Sequence, residues 1–191
     1  MCFYFFLSIF ISFMIMMIML FLMIRGFAGT VLTMVVIILS VIAAMGAGGH
    51  IGYPITPPSA TAPTVILTVA IANSVHVLVT FYHNMREGME KVSAMVESMR
   101  VNLQPVFLTS LTTSIGFLSM NFSDVPPFNH LGNFVAIGVM MSFLLAVTFL
   151  PAVISLLPVK VRVHHEKGDR LMIWLGDFVV NNRRKILPGM V

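Results

Sequence analysis

Two polar runs sit inside otherwise apolar stretches of this 191-residue chain. The first, VILTVAIANSVHVLVTFYHNM, carries Asn73, Ser74, His76, Thr80 and His83. At about 100° per residue, Asn73, His76, Thr80 and His83 share one helical face. The second, FLTSLTTSIGFLSMNF, brings Thr109, Thr112, Thr113 and Gly116 to a common face of its own. An imidazole changes charge near neutral pH, so His76 is suited to carry a proton, while the amide and hydroxyls can bond it or one another. Asn73, Ser74, His76, Thr109, Thr112 and Thr113 are therefore the candidates for a proton relay or a polar core, and the two faces are expected to pack together. Two plainer readings stand beside this one. A threonine hydroxyl in a helix can close on the carbonyl four residues back, and His76 can be a structural hydrogen-bonding residue. His83, near the end of its run, reads as interfacial.

Other chemistries find no purchase. No nucleophile and base pair, phosphate-cradling glycine loop or metal-ligand spacing is visible. His164 and His165 lie in a basic linker without Cys or carboxylate neighbours at ligand spacing, and Cys2 is the single cysteine. The expectation is no enzyme, no metal and no cofactor. The cluster Gly46, Gly48 and Gly49 reads as close helix packing.

The elements that must hold these residues follow from composition. Hydrophobic residues make up 58% and charged residues 9%, against about 25% charged in a soluble domain. Met1–Ile24 carries no charge and would rise about 36 Å as a helix, enough for a hydrocarbon core of about 30 Å. Five apolar segments are expected to span, at 1–24, 29–50, 63–83, 103–122 and 131–157, giving an all-α polytopic membrane helix bundle. Gly52 to Pro63 separates the second and third, and Ser123–Pro127 is a turn between the fourth and fifth. Two amphipathic stripes, Met89, Val92, Met95, Val96 and Met99, then Leu171, Trp174, Leu175 and Phe178, predict interfacial helices. Residues 1–158 form the transmembrane domain and 159–191 a cytoplasmic linker.

All 11 Lys and Arg fall after the first, third and fifth segments, and Gly49–Ala62 and Ser123–His130 have none, which puts the basic set in the cytoplasm. No nucleic-acid patch is implied. Met1 is then outside with nothing to carry it there, so a preceding span is expected, and the sequence reads as a fragment.

The runs APTVILTVAIANSVHVLVTFYHNMREG, AMVESMRVNLQPVFLTSLTTSIGFLSMNFSDVPPF and HLGNFVAIGVMMSFLLAVTFLPAVISLLP closely resemble the resistance-nodulation-division superfamily. The nearest branch looks like the bacterial hydrophobe and lipid exporters with the MMPL or sterol-sensing-type five-helix unit, over about residues 62–158. The resemblance implies two homologous halves of six spans, large periplasmic domains and transport driven by proton flux in the bacterial inner membrane. This chain would then supply spans two to six of the N-terminal half. Implied partners are membrane lipids, a hydrophobic or lipid-like substrate, the second half of the same transporter and a possible second copy. A departure accompanies the likeness. Members of that branch often carry Asp-Ser-x-His where this chain has Asn73-Ser74-Val75-His76, and an amide cannot ionise. Either His76 carries the proton, or an acid in the other half does, or coupling is lost. The rival reading is a sterol-sensing-type module that binds lipid and regulates a partner.

The charge asymmetry is testable. In a Cys2-free background, cysteines at Ser59 and Ser123 should react with an impermeant thiol reagent from outside and one at Ser93 should not; external labelling at Ser93 in intact cells would overturn the topology.

Overall fold

Hydrocarbon offers backbone N–H and C=O groups no partners, so a chain this apolar must bond along itself. The computed structural model describes residues 27–157, together with Ile11, Met14, Ile15 and Ile18, which are helical. Among the described residues there is no strand. The rest of the expected first span, the stripe from Leu171 to Phe178 and His164–His165 lie outside the described residues.

The element order is α1 (Phe27–Ile51), a 3-10 turn (Ser59–Thr61), α2 (Ala62–Arg86), α3 (Lys91–Leu118), a second 3-10 turn (Ser119–Phe122), α4 (Pro126–Val147) and α5 (Phe149–Leu156). Among the described residues, three stretches are long and apolar enough to cross a membrane: Ala28–Ile51, Ser59–Arg86 and Pro126–Leu156. Gly88 closes the α2–α3 turn at φ +93°, a left-handed conformation that costs glycine nothing. Pro126 and Pro127 were expected in a turn; instead they form the first turn of α4, where a missing N–H has no helical partner to lose. The break after Val147 falls four residues before Pro151, which cannot donate to the Val147 carbonyl.

The expected interfacial helix at Met89–Arg100 is corrected by the structure. Lys91–Leu118 is one continuous helix, so the amphipathic stretch and the expected fourth span are a single element. Its buried face coincides with the predicted stripe only in part: Met95 is buried and Met99 packs against the same core, but Met89, Val92 and Val96 are exposed, and the small residues Ala94 and Ser98 are buried beside Met95. On its exposed side the Arg100 guanidinium grips Glu97 through two hydrogen bonds of 2.9 and 2.8 Å, and that contact holds the Glu97 carboxyl below its ordinary range.

Helix α4 packs against α1, α2 and α3. Its buried residues include Leu131, Phe134, Val135, Val139 and Phe143, which cover about half of the helix circumference, wide enough to meet three neighbours. One core cluster joins Leu32 and Val36 of α1, Leu78 and Phe81 of α2, Met95 of α3 and Leu150 and Ile154 of α5. A second joins Ala44, Ile66, Leu131, Phe134 and Val139. Lys91 ties the ends together, its ammonium donating to the carbonyls of Ser155 at 2.7 Å and Leu157 at 2.5 Å. A cation there also complements the carboxyl end of α5.

Helices α3 and α4 approach closely at Gly132. A Cβ at that position would stand 2.3 Å from the Phe117 carbonyl oxygen, and backbone cannot yield as a side chain can. Gly132→Ala should therefore lower stability by about 1–3 kcal/mol, the cost of overpacking. Gly116→Ala, whose Cβ would meet nothing within 4 Å, should be neutral or slightly stabilising. Thermal unfolding of both variants in detergent checks the contrast. The burial pattern also refines the labelling experiment above: Ser59 is fully buried, whereas Ile55 in the same loop is 70% exposed, so Ile55→Cys is the better external reporter.

Candidate functional site

The side chains that α3 turns inward recur every four residues: Ala94, Ser98, Asn102, Val106, Ser110 and Ser114 are all buried. In a helix of 3.6 residues per turn such a row advances about 40° at each step, so it winds around the helix instead of running straight. Its early members meet α2. Ser98 donates to the Val77 carbonyl at 2.6 Å, and the Asn102 amide donates to Thr80 Oγ1 at 2.8 Å. Its last member meets α4, where Ser114 donates to the Ala136 carbonyl at 3.3 Å. Ser110 stands where the three helices converge.

That convergence is the centre of the site. Asn73 of α2 is 2% exposed, and its amide nitrogen donates to Ser110 Oγ at 3.1 Å and to Ser142 Oγ at 3.2 Å. Ser142 in turn donates to the Val139 carbonyl at 2.8 Å. One neutral amide thus joins α2, α3 and α4 through two hydroxyls. Ser74, beside it, is fully buried, and its hydroxyl has no hydrogen-bond partner among the described residues.

The other predicted residues are placed differently. His76 is exposed, and His83, more than half exposed, pairs with Glu87 at 3.2 Å. Steps of three residues fall about 60° short of a full turn, so the two imidazoles drop off the edge of the face that Asn73 and Thr80 present to α3. The expectation that all four share an inward face is corrected accordingly. Thr109 and Thr112 are exposed and Thr113 is partly so. Their hydroxyls close on Pro105, Leu108 and Thr109 carbonyls at 2.8, 2.8 and 2.7 Å, which is the self-satisfied arrangement. Sequence reasoning followed the conspicuous threonines and missed Ser110 and Ser142. The four-residue row from Ala94 to Ser114 was the available signal for the first. Ser142, a lone hydroxyl in an apolar helix, gave only a weak one.

No group of three or more His, Cys, Asp or Glu able to hold a metal is present among the described residues. The centre can pair helices and present hydroxyls and an amide, but none of its three members ionises near neutral pH.

The chain matches the MMPL family over residues 5–186. It belongs to the MMPL family. A curated relative from Methanocaldococcus jannaschii, whose name assigns it to the membrane and gives no activity, is 26% identical to this MMPL chain over 106 residues. The match covers 56% of this chain and 27% of the relative, so the chain spans little more than a quarter of that protein's length. Family and apolar helices together make this MMPL chain a membrane protein. Of the run Asn73-Ser74-Val75-His76 in this MMPL chain, Asn73 lies in the buried three-helix junction and His76 on the exposed side.

Removing the junction should be costly in a specific way. Ser110→Val leaves the Asn73 amide short of an acceptor in a dry setting and should lose about 1–3 kcal/mol. The combined Thr109→Val, Thr112→Val and Thr113→Val variant should stay within about 0.5 kcal/mol of the parent, since each hydroxyl serves only its own helix. Denaturation midpoints in detergent distinguish the two.

Proposed function

We propose that this chain is the membrane part of one half of a proton-coupled exporter of hydrophobic or lipid-like molecules, resident in the cytoplasmic membrane and without enzymatic activity. In this reading five helices span: 1–24, α1, α2, the uncharged part of α3, and α4 with α5. Basic loops face the cytoplasm, and a second half of the same protein covers the exposed side of α2.

The observation that carries the reading is the separation of Asn73 from His76. The position where the family resemblance expects an acid holds an amide whose N–H groups are taken by Ser110 and Ser142, so that junction works as a hinge point or clasp. His76 stands one helical step away on the exposed side, free to meet water or the other half, and is the group in that stretch able to take up a proton. Proton movement is assigned to His76, and the Asn73 junction transmits helix motion.

A neutral junction also suits the rival, a lipid-binding regulatory module that needs no titrating centre. The full-length protein decides between them. His76→Phe should abolish export while leaving membrane abundance nearly unchanged. Asn73→Asp should be tolerated and should shift the pH profile of export, because both serine hydroxyls can turn to donate to a carboxylate. Normal pH-dependent export per folded molecule in the phenylalanine variant would remove His76 from the mechanism, and absence of any export by the parent would favour the regulatory module.

A further inference from the structure

The polar groups of α2 that miss the Asn73 junction fall into line with one another. Thr80, His83 and Glu87 follow His76 at steps of four, three and four residues, which places all four within an arc of about 60°. His76, His83 and Glu87 are exposed and Thr80 is partly so. From His76 to Glu87 the chain rises about 16 Å, close to half of a hydrocarbon core of about 30 Å. The arc thus joins the interior of the span to the end where Arg86, Lys91 and Arg100 lie.

Its polarity runs one way only. Above His76 the same arc holds Val69, Val65 and Ala62, so α2 offers no polar side chain along it toward the opposite end. Below His76 the groups are bonded in sequence. Thr80 Oγ1 donates to the His76 carbonyl at 3.1 Å and accepts from the Asn102 amide of α3 at 2.8 Å, which leaves one lone pair for a further donor such as water. His83 Nε2 then pairs with Glu87 Oε1 at 3.2 Å. Nearby charges are placed elsewhere: Lys91 is held by α5 carbonyls and Arg100 by Glu97, Arg86 lies beside Tyr82, and exposed Glu90 precedes α3. Imidazoles at membrane depth are costly against lipid, so this arc faces water or protein.

We propose that the arc is the cytoplasmic half of a proton route, along which a proton leaving the His76 imidazolium reaches the His83–Glu87 pair and then bulk water. His76 and His83 are seven residues, about 10 Å, apart, so water must bridge them, and Thr80, oriented by Asn102, is the side chain that holds it. The route rests on the assignment of proton movement to His76 and adds to it a path, a direction and a terminal acceptor.

The test uses the full-length protein in a Cys2-free background. Thr80→Cys should react with a charged, impermeant thiol reagent in inverted membrane vesicles and stay unreactive in intact cells, and Val69→Cys should react from neither side. Protection of Thr80→Cys in inverted vesicles that do label His83→Cys would overturn the route, as would labelling of Thr80→Cys from outside. Hydroxyl-radical footprinting of the unmodified protein decides the matter if Thr80→Cys does not fold: oxidation at both His76 and His83 supports the route, and oxidation at His83 alone defeats it. His83→Gln combined with Glu87→Gln should slow export about tenfold, a fraction of what a positioned base contributes to a reacting group, and should remove its response to cytoplasmic pH while its response to external pH remains. Unchanged export at every cytoplasmic pH would overturn the terminal acceptor. A parent that exports nothing fails the transport reading whatever the labelling shows, whereas a dry Thr80 fails the route alone.

Discussion

A helix bundle built almost without charge has to specify its packing with small polar side chains, and here that task falls to one winding row on α3. Between lipid-facing helices the hydrophobic effect gives little preference for one partner over another, because a lipid tail is as apolar as leucine. What distinguishes partners is how closely backbones can approach and whether buried hydroxyls and amides find acceptors. The row Ala94, Ser98, Asn102, Val106, Ser110 and Ser114 does both. Its drift around the helix lets α3 bond α2 at its earlier turns and α4 near its far end, so a single periodicity positions two neighbours.

The Asn73 junction is where these constraints meet. Asn73 is buried, bonded to one hydroxyl from α3 and one from α4, and carries no charge. An acid in the same place would lose its hydration and would be held neutral, or would need donors turned toward it. Serine hydroxyls can serve in either role, so the surroundings of Asn73 are compatible with an amide or an acid. The amide has no proton to gain or lose near neutral pH, and the imidazole of His76 lies on the exposed side of the same helix.

The periphery repeats the pattern with different means. At one end Lys91 caps the carbonyls that end α5. At the other, Gly132 lets α3 and α4 touch through backbone. Beside that contact an apolar groove lies between the two helices, with Ser114 and Ala136 among its lining residues together with Met140, Met141 and Leu144.

Much of this was legible in the residues alone. Hydropathy and the absence of charge dictated helices that must pair their own backbones, and the segments at 29–50, 63–83 and 131–157 appear as α1, α2 and α4 with α5. The family was legible as well, since the runs around Asn73-Ser74-Val75-His76 and LTSLTTSIGFLS carry it. Side-chain direction was not. A periodic face drawn by hand tolerates errors of about 60°, which is the angle separating buried Asn73 from exposed His76. Nor could the sequence say that Met89–Arg100 and the next apolar segment would join into α3, because an amphipathic stripe is equally compatible with an interfacial helix and with the end of a longer one. The pairing of Asn73 with Ser110 and Ser142 joins residues far apart in the chain. Local periodicity carries no information about such distances, and only the packing of three helices decided which hydroxyls the amide would meet.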